Sequence, residues 1–258
     1  MAELDNEGDT DLDWKKIAEA EPFWGVLSLD QYKGPQLGDE QAASFFRSGD
    51  LLVESIVKDI RQTFDGNFTP TRSLDFGCGV GRLLLPIARL TLGEAVGIDV
   101  APNMLAIADR YVKQSGLTNV TLVLGDDDLS QLTGNFDFIN SYIVLQHIPP
   151  ARGYAIVQKL LSMLRPKGIG SLQFTFAKDR KFFQHEAWTA RFYRRDGSTI
   201  HDLLPKPLRY PQGTIRMFDY DLNNFNALLA TNGIRKSVTN MTNDDGHLGV
   251  HMIFRREQ

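Results

Sequence analysis

The sequence predicts an open α/β fold: a three-layer sandwich around a seven-stranded, mainly parallel sheet whose last strand is antiparallel. Three observations point to it. From residue 71 onward, short apolar runs alternate with stretches of helical periodicity, the pattern of parallel strands joined by crossover helices. A glycine-rich turn, Gly77-Cys78-Gly79-Val80-Gly81, stands where the first apolar run gives way to a helix. Acidic residues then close the next two runs, at Asp99 and at Asp126-Asp127-Asp128.

Taken in order, the elements begin with an amphipathic helix. Leu51, Leu52, Ile56, Ile60 and Phe64 recur at helical spacing, with Asp50 as the expected N-cap and Gly66 just beyond the end. Strands are expected at Ser73–Phe76, Ala95–Ile98, Val120–Leu124, Phe136–Ile143 and Gly170–Phe176. Helices are expected between them, at Arg82–Leu92, Pro102–Gln114 and Arg152–Leu164. Pro86 lies within the first of these and is expected to kink it or delay its regular part. A helix over Leu222–Thr231, capped by Asp219 or Asp221, leads into an antiparallel pair at Ile234–Met241 and Leu248–Arg255 around an Asn243–Gly246 turn. Residues 1–70 read as an N-terminal extension and helical cap, 71–258 as the core domain, and 179–214 as a lid inserted after the fifth strand.

Composition narrows the chemistry. A single cysteine, Cys78, allows no intramolecular disulfide and leaves a clustered Cys/His zinc site without ligands, so a reducing, cytoplasmic setting and no metal are expected. No apolar stretch approaches the length of a membrane span. Net charge is −4, which gives no general attraction to nucleic acid, and no DNA partner is expected. The sum hides an asymmetry, however. Residues 1–40 hold eleven Asp/Glu against three Lys/Arg, a balance of −8, whereas residues 178–216 hold nine Lys/Arg against four Asp/Glu, a balance of +5.

In the turn, Gly77, Gly79 and Gly81 let the backbone bend tightly and approach a ligand closely. The spacing is G-x-G-x-G rather than the dinucleotide G-x-G-x-x-G, and Asp75 ends the strand two residues earlier. A carboxylate there is poorly placed beside a pyrophosphate and well placed near the ammonium group of a bound amino acid. Asp99, followed by Val100, stands where Rossmann-type sites hold an acid against ribose hydroxyls. Of the third acid cluster, Asp126 is favoured to meet an adenine amine, with Asp127 its neighbour and Asp128 solvated. Cys78 reads as a small filler in the loop rather than a nucleophile.

These motifs, Leu74–Gly81, Gly97-Ile98-Asp99, Leu124-Gly125-Asp126, Phe136-Asp137-Phe138 through Pro149, and the Leu164–Gly168 turn, together resemble those of the class I S-adenosylmethionine-dependent methyltransferases. The resemblance covers roughly residues 70–178 and the closing helix and strands. It implies a Rossmann-like fold, S-adenosyl-L-methionine as cofactor held by Asp75, Gly77, Cys78, Gly79, Gly81, Asp99, Val100, Asp126 and Asp127, and methyl transfer as the activity. The segment Pro22–Ser28 with Phe45–Gly49 looks like the N-terminal region of bacterial members associated with glycan or small-molecule methylation, which implies such an acceptor.

In the basic insertion, Trp188, Arg191, Phe192 and Arg195 are expected to meet the acceptor, offering aromatic faces and cations. The alternative is that its aromatics pack the lid's own core while its arginines face water or the acidic N-terminal segment. His147 follows the fourth strand at the same sheet edge as the acids and is the expected general base. Its alternative role is to orient the helix that follows. His247 and His251 share a strand face and read as structural. The expected reaction is O-methylation of a small molecule or glycan; an RNA methyltransferase and a non-catalytic cofactor-binding partner subunit are the alternatives.

Overall fold

The computed structural model describes residues 10–179, 215–244 and 246–257. Trp188, Arg191, Phe192, Arg195 and all of the expected lid except Asp179 lie outside the described residues. Helices α1 (Thr10–Ala20), α2 (Pro22–Val26) and α3 (Asp39–Thr63) precede the core. The core then runs β1 (Arg72–Phe76), α4 (Leu84–Leu90), β2 (Glu94–Asp99), α5 (Pro102–Gln114), β3 (Val120–Leu124) and β4 (Phe136–Ser141). It continues with α6 (Pro150–Met163), β5 (Leu164–Lys178), α7 (Leu222–Thr231), β6 (Ile234–Asp244) and β7 (His247–Arg256).

The seven strands lie in the order β3-β2-β1-β4-β5-β7-β6. Neighbours from β3 to β5 are parallel, while β7 runs antiparallel to both β5 and β6. The alternation read from the sequence therefore forms the expected open sheet. Chain order reverses between β1 and β4, so the crevice at the carboxyl ends of β1, β2 and β4 is the natural ligand position of such a sheet.

Two faces bury this sheet. On one, Leu74, Ile139 and Leu172 pack with Ile156 and Leu160 of α6 and with Phe225 and Leu229 of α7. On the other, Phe138, Ile169 and Ile253 meet Val53, Ile56 and Ile60 of α3 and Ile87 of α4. Alternate strand residues serve opposite faces, which places Ser73 and Asp75 on the α3 side and Leu74 and Phe76 on the α6 side.

The structure corrects several sequence boundaries. Helix α3 starts at Asp39, not after Asp50, because Gly38 supplies the N-cap backbone and donates its N–H to Gln41 Oε1. Asp50 lies within the helix and pairs with Arg89 at 2.8 Å. Gly49 is tolerated mid-helix because α3 passes against the Arg82 carbonyl: a Cβ there would stand 2.1 Å from that oxygen. Helix α4 begins at Leu84, which puts Pro86 in the first turn, where its missing N–H is not needed. Strand β4 stops at Ser141, since Ile143 takes a left-handed φ of 59° that ends the ladder. Asp221, not Asp219, caps α7, accepting the amides of Asn223 and Asn224. Asp219 instead pairs with buried Lys178 at the end of β5.

One buried phenol ties the fold to the crevice. Tyr220, 1% exposed, shares its hydroxyl between the Leu145 and Ile148 carbonyls at 2.9 Å each, fixing the short 3-10 turn Leu145–His147. Gly153 makes room for that ring: a Cβ would fall 1.9 Å from the phenolic oxygen. Removing the hydroxyl takes this donor from the Ile148 carbonyl and leaves the Leu145 carbonyl with the Ile148 N–H alone, so Tyr220→Phe is expected to destabilise the chain by about 1–3 kcal/mol. Urea unfolding checks this; an unchanged midpoint would remove the phenol as the pin of the turn.

Candidate functional site

Strand β1 ends in a turn that the glycines make possible. Gly77 and Gly79 adopt φ values of 72° and 53°, in the left-handed region that side chains disfavour. Space is equally restrictive, because a Cβ on Gly77 would stand 2.4 Å from Val144 Cγ2. The amides of Gly77 and Cys78 both donate to the Ile98 carbonyl at 2.8 and 3.0 Å, which bends the loop over the end of β2. There the carboxylate of Asp99 accepts the Gly79 N–H through Oδ2 and the Ala101 N–H through Oδ1, each at 2.9 Å. Each oxygen keeps capacity for a further donor.

A single pocket gathers most of the expected residues. Gly77, Gly79, Asp99, Val100, Asp126 and Asp127 line it, with Ile98, Met104 and Ile156 as apolar wall, and His147, Tyr142, Val144 and Ile148 line it too. Thr10, Asp11 and Trp14 of α1 and Val26 of α2 form the roof. Three expected cofactor residues stand back from it. The Cys78 side chain turns under the loop among Leu84, Ala88 and Ala95, and burial pushes its thiol well above the ordinary range, so it fills space. Gly81 packs under the loop against Ala108 of α5. Asp75, 3% exposed, lies behind the turn and accepts the Asn140 Nδ2–H at 2.8 Å.

Charge gives the pocket its character. Its lining carries four carboxylates, Asp11, Asp99, Asp126 and Asp127, against one guanidinium, Arg152. Burial drives Asp99 up to about 6 and Asp75 up to about 7, because desolvation penalises their charged forms. A cation entering this site relieves that penalty. Asp126 is exposed and turned to Ser130, whose amide and hydroxyl hold it below the ordinary carboxylate range. Asp127 is engaged by Arg152, which also reaches the Asp11 carboxylate at 2.7 Å. Asp128 is solvated and pairs with Lys159.

Sequence reasoning missed the roof. Arg152 clasps α1 through Asp11 and Thr10, and Arg216 pairs with Asp13 at 2.9 Å. Trp14 meets the ring of His147 edge-on at 5.0 Å. The opposed charges of residues 1–40 and 178–216 were the signal for the Asp13–Arg216 contact; Arg152 lies outside both blocks and had none.

His147 is 4% exposed, and its Nδ1 lies 2.8 Å from the Arg216 carbonyl. A carbonyl only accepts, so Nδ1 bears the proton and the lone pair sits on Nε2. Desolvation lowers the pKa of this histidine from the ordinary 6.5 to about 4. The folded ring thus stays neutral between pH 6.5 and about 4, while the unfolded ring takes up a proton. Its contribution to stability is complete above 6.5 and falls as pH drops through that window. Relative to wild type, His147→Phe is therefore expected to gain in Tm as pH is lowered from about 7 to about 4.5. A pH-independent difference would contradict the burial.

Residues 74–168 match the family model described as a methyltransferase domain. The ubiquinone biosynthesis O-methyltransferase of Cereibacter sphaeroides (strain ATCC 17025) is 31% identical over 122 residues, covering 46% of this chain and 48% of that protein. Its namesake from Xanthomonas axonopodis pv. citri is 34% identical over 98 residues, covering 38% and 40%. The chain thus spans under half the length of these curated relatives. Among solved structures, magnesium protoporphyrin IX methyltransferase from Synechocystis, with bound SAH, superposes with a TM-score of 0.65 at 21% identity, over 96% of this chain and 100% of that one. N-methyltransferase NodS from Bradyrhizobium japonicum, in complex with S-adenosyl-L-homocysteine, gives 0.56 at 13% identity over 95% and 100%. Fold, loop and family model agree: residues 74–168 match a methyltransferase domain, and the sheet that carries them is Rossmann-like.

Proposed function

We propose that this chain binds S-adenosyl-L-methionine in the acid-lined pocket and methylates a hydroxyl of a small molecule or glycan. The observation that carries this reading is Asp99, fixed by two backbone amides at the carboxyl end of β2 beside the glycine turn. Both of its oxygens retain room for a ribose hydroxyl. The apolar wall of Ile98, Val100 and Met104 suits the adenine ring, and Asp126, with Asp127 beside it in the lining, is the acceptor assigned to the exocyclic amine. The donor is cationic at its sulfonium, which agrees with the excess of carboxylates around the pocket.

When bound, S-adenosylmethionine supplies an activated methyl group, so the protein's task is alignment and exclusion of water. Trp14, Val26, Val144 and Ile148 provide the apolar cover. His147 offers the Nε2 lone pair to an acceptor hydroxyl, with its Nδ1 proton held by the Arg216 carbonyl. A neutral ring at every pH above about 4 keeps that lone pair available and gives its role no inflection near neutrality. The choice of oxygen as acceptor follows the O-methyltransferase relatives together with this base.

The test uses the full chain with methyl-labelled donor and a panel of phenols, sugars, amines and RNA. Label is expected on a hydroxylated small acceptor, and His147→Ala is expected to lower kcat by about 10²–10⁴ with S-adenosylhomocysteine affinity retained. Asp99→Ala is expected to weaken that affinity at least about tenfold, the loss of one charge-assisted bond. Near-normal turnover without His147 would end its role as base, and label only on RNA or amines would overturn the acceptor assignment.

A further inference from the structure

Behind the glycine turn, four polar side chains form one row across four strands. Asp75 of β1 accepts the Asn140 Nδ2–H of β4 at 2.8 Å. The Asn140 amide oxygen accepts the Ser171 hydroxyl of β5 at 3.0 Å. Ser171 Oγ lies 2.8 Å from His251 Nε2 of β7. Asp75, Asn140 and Ser171 stand at paired positions of adjacent strands, on the α3 face. All four residues are at most 5% exposed, so water does not supply alternative partners at will.

The row has a direction. A carboxylate at Asp75 can only accept, which turns the Asn140 amide so that its oxygen faces Ser171. The serine proton is then committed to Asn140, so Ser171 Oγ must accept from His251, whose proton therefore sits on Nε2. Protonating Asp75 favours the opposite sense, with the amide flipped and the histidine in its other tautomer. The two ends of the row are thus coupled over a distance that no direct contact spans.

We propose that Asn140, Ser171 and His251 are positioning residues for Asp75, their directed row holding its carboxylate ionised behind the glycine turn, where its charge favours the cationic donor in the pocket in front of it. This rests on the function proposed above, which places the donor in the pocket that Gly77 and Gly79 of the turn line. Burial works against the row by driving Asp75 up to about 7. The groups facing Asp75 are Asn140, the Arg82 guanidinium and the Asp99 carboxylate. Those facing His251 are Ser171, the Tyr142 ring at 5.2 Å, Asp59 of α3 and its cross-strand neighbour Asn240.

The experiment follows the Asp75 carboxyl carbon by NMR through a pH titration of the full, ligand-free chain, alongside S-adenosylhomocysteine affinity over the same range. Ser171→Ala and His251→Phe each remove the anchor of the carboxylate-directed sense. Both are expected to raise the Asp75 midpoint by about half a unit to one unit, and to move the Asp75-linked fall in affinity to higher pH by the same amount. His251→Gln keeps an N–H donor for Ser171 and is expected to restore both. The step due to Asp99 stays in place in every variant. Loss of Tm with an unmoved Asp75 midpoint would overturn the proposal and make the row structural only. A shifted midpoint in a chain that binds no S-adenosylhomocysteine would instead uphold the row and refute the donor assignment.

Discussion

The pocket depends on one carboxylate. Asp99 gathers the amides of Gly79 and Ala101, and so joins the turn after β1 to the start of the chain leading into α5. Because that turn must pass beside Val144, only glycine fits at Gly77, and the approach of β1 to the end of β4 is set by the same contact. Ile98, Val100 and Met104 follow from the position of Asp99 along the chain, which places the apolar wall beside the acid. The cost is a carboxylate held in a desolvated place, pushed up to about 6. A site that penalises its own charge before the ligand arrives is one in which hydroxyls and a cation are bound strongly.

The roof is attached by charge as well as by an apolar cluster, in which Ala18 and Phe23 pack with Val80, Ala101, Met104 and Ile107. Asp11 and Asp127 share Arg152, and Asp13 takes Arg216, so α1 is bound to the chain after β3, to α6 and to the segment leading into α7. Arg216 does two things at once, since its carbonyl also fixes the tautomer of His147. The tautomer of that ring and the docking of α1 are therefore coupled through one residue. Among the described residues no helix is long and apolar enough to cross a membrane.

Where local chemistry decides structure, the sequence was legible. Helix α5 opens on Pro102 and closes before Gly116, and β3 is an uninterrupted β-branched and leucine run; both fall where the pattern put them. Asp99, Gly77 and Gly79 were equally legible, because turn and acid are tied to strand ends. Helix α3 was read short because its true start is a glycine cap with no side chain to mark it, and the close approach of Gly49 to Arg82 leaves no pattern in the sequence. The row from Asp75 to His251 had no signal in the sequence: its members lie 65, 31 and 80 residues apart and meet only through strand order. Arg152 was invisible for the same reason, being 141 residues from Asp11.

The most direct measurement of this account is a crystal structure of the full chain grown with S-adenosylhomocysteine. The expected structure has the ribose hydroxyls on the Asp99 carboxylate, adenine against Ile98, Val100 and Met104, and α1 closed above them with Asp11 on Arg152. A ligand bound elsewhere, or a ribose turned away from Asp99 with the pocket otherwise intact, would contradict it.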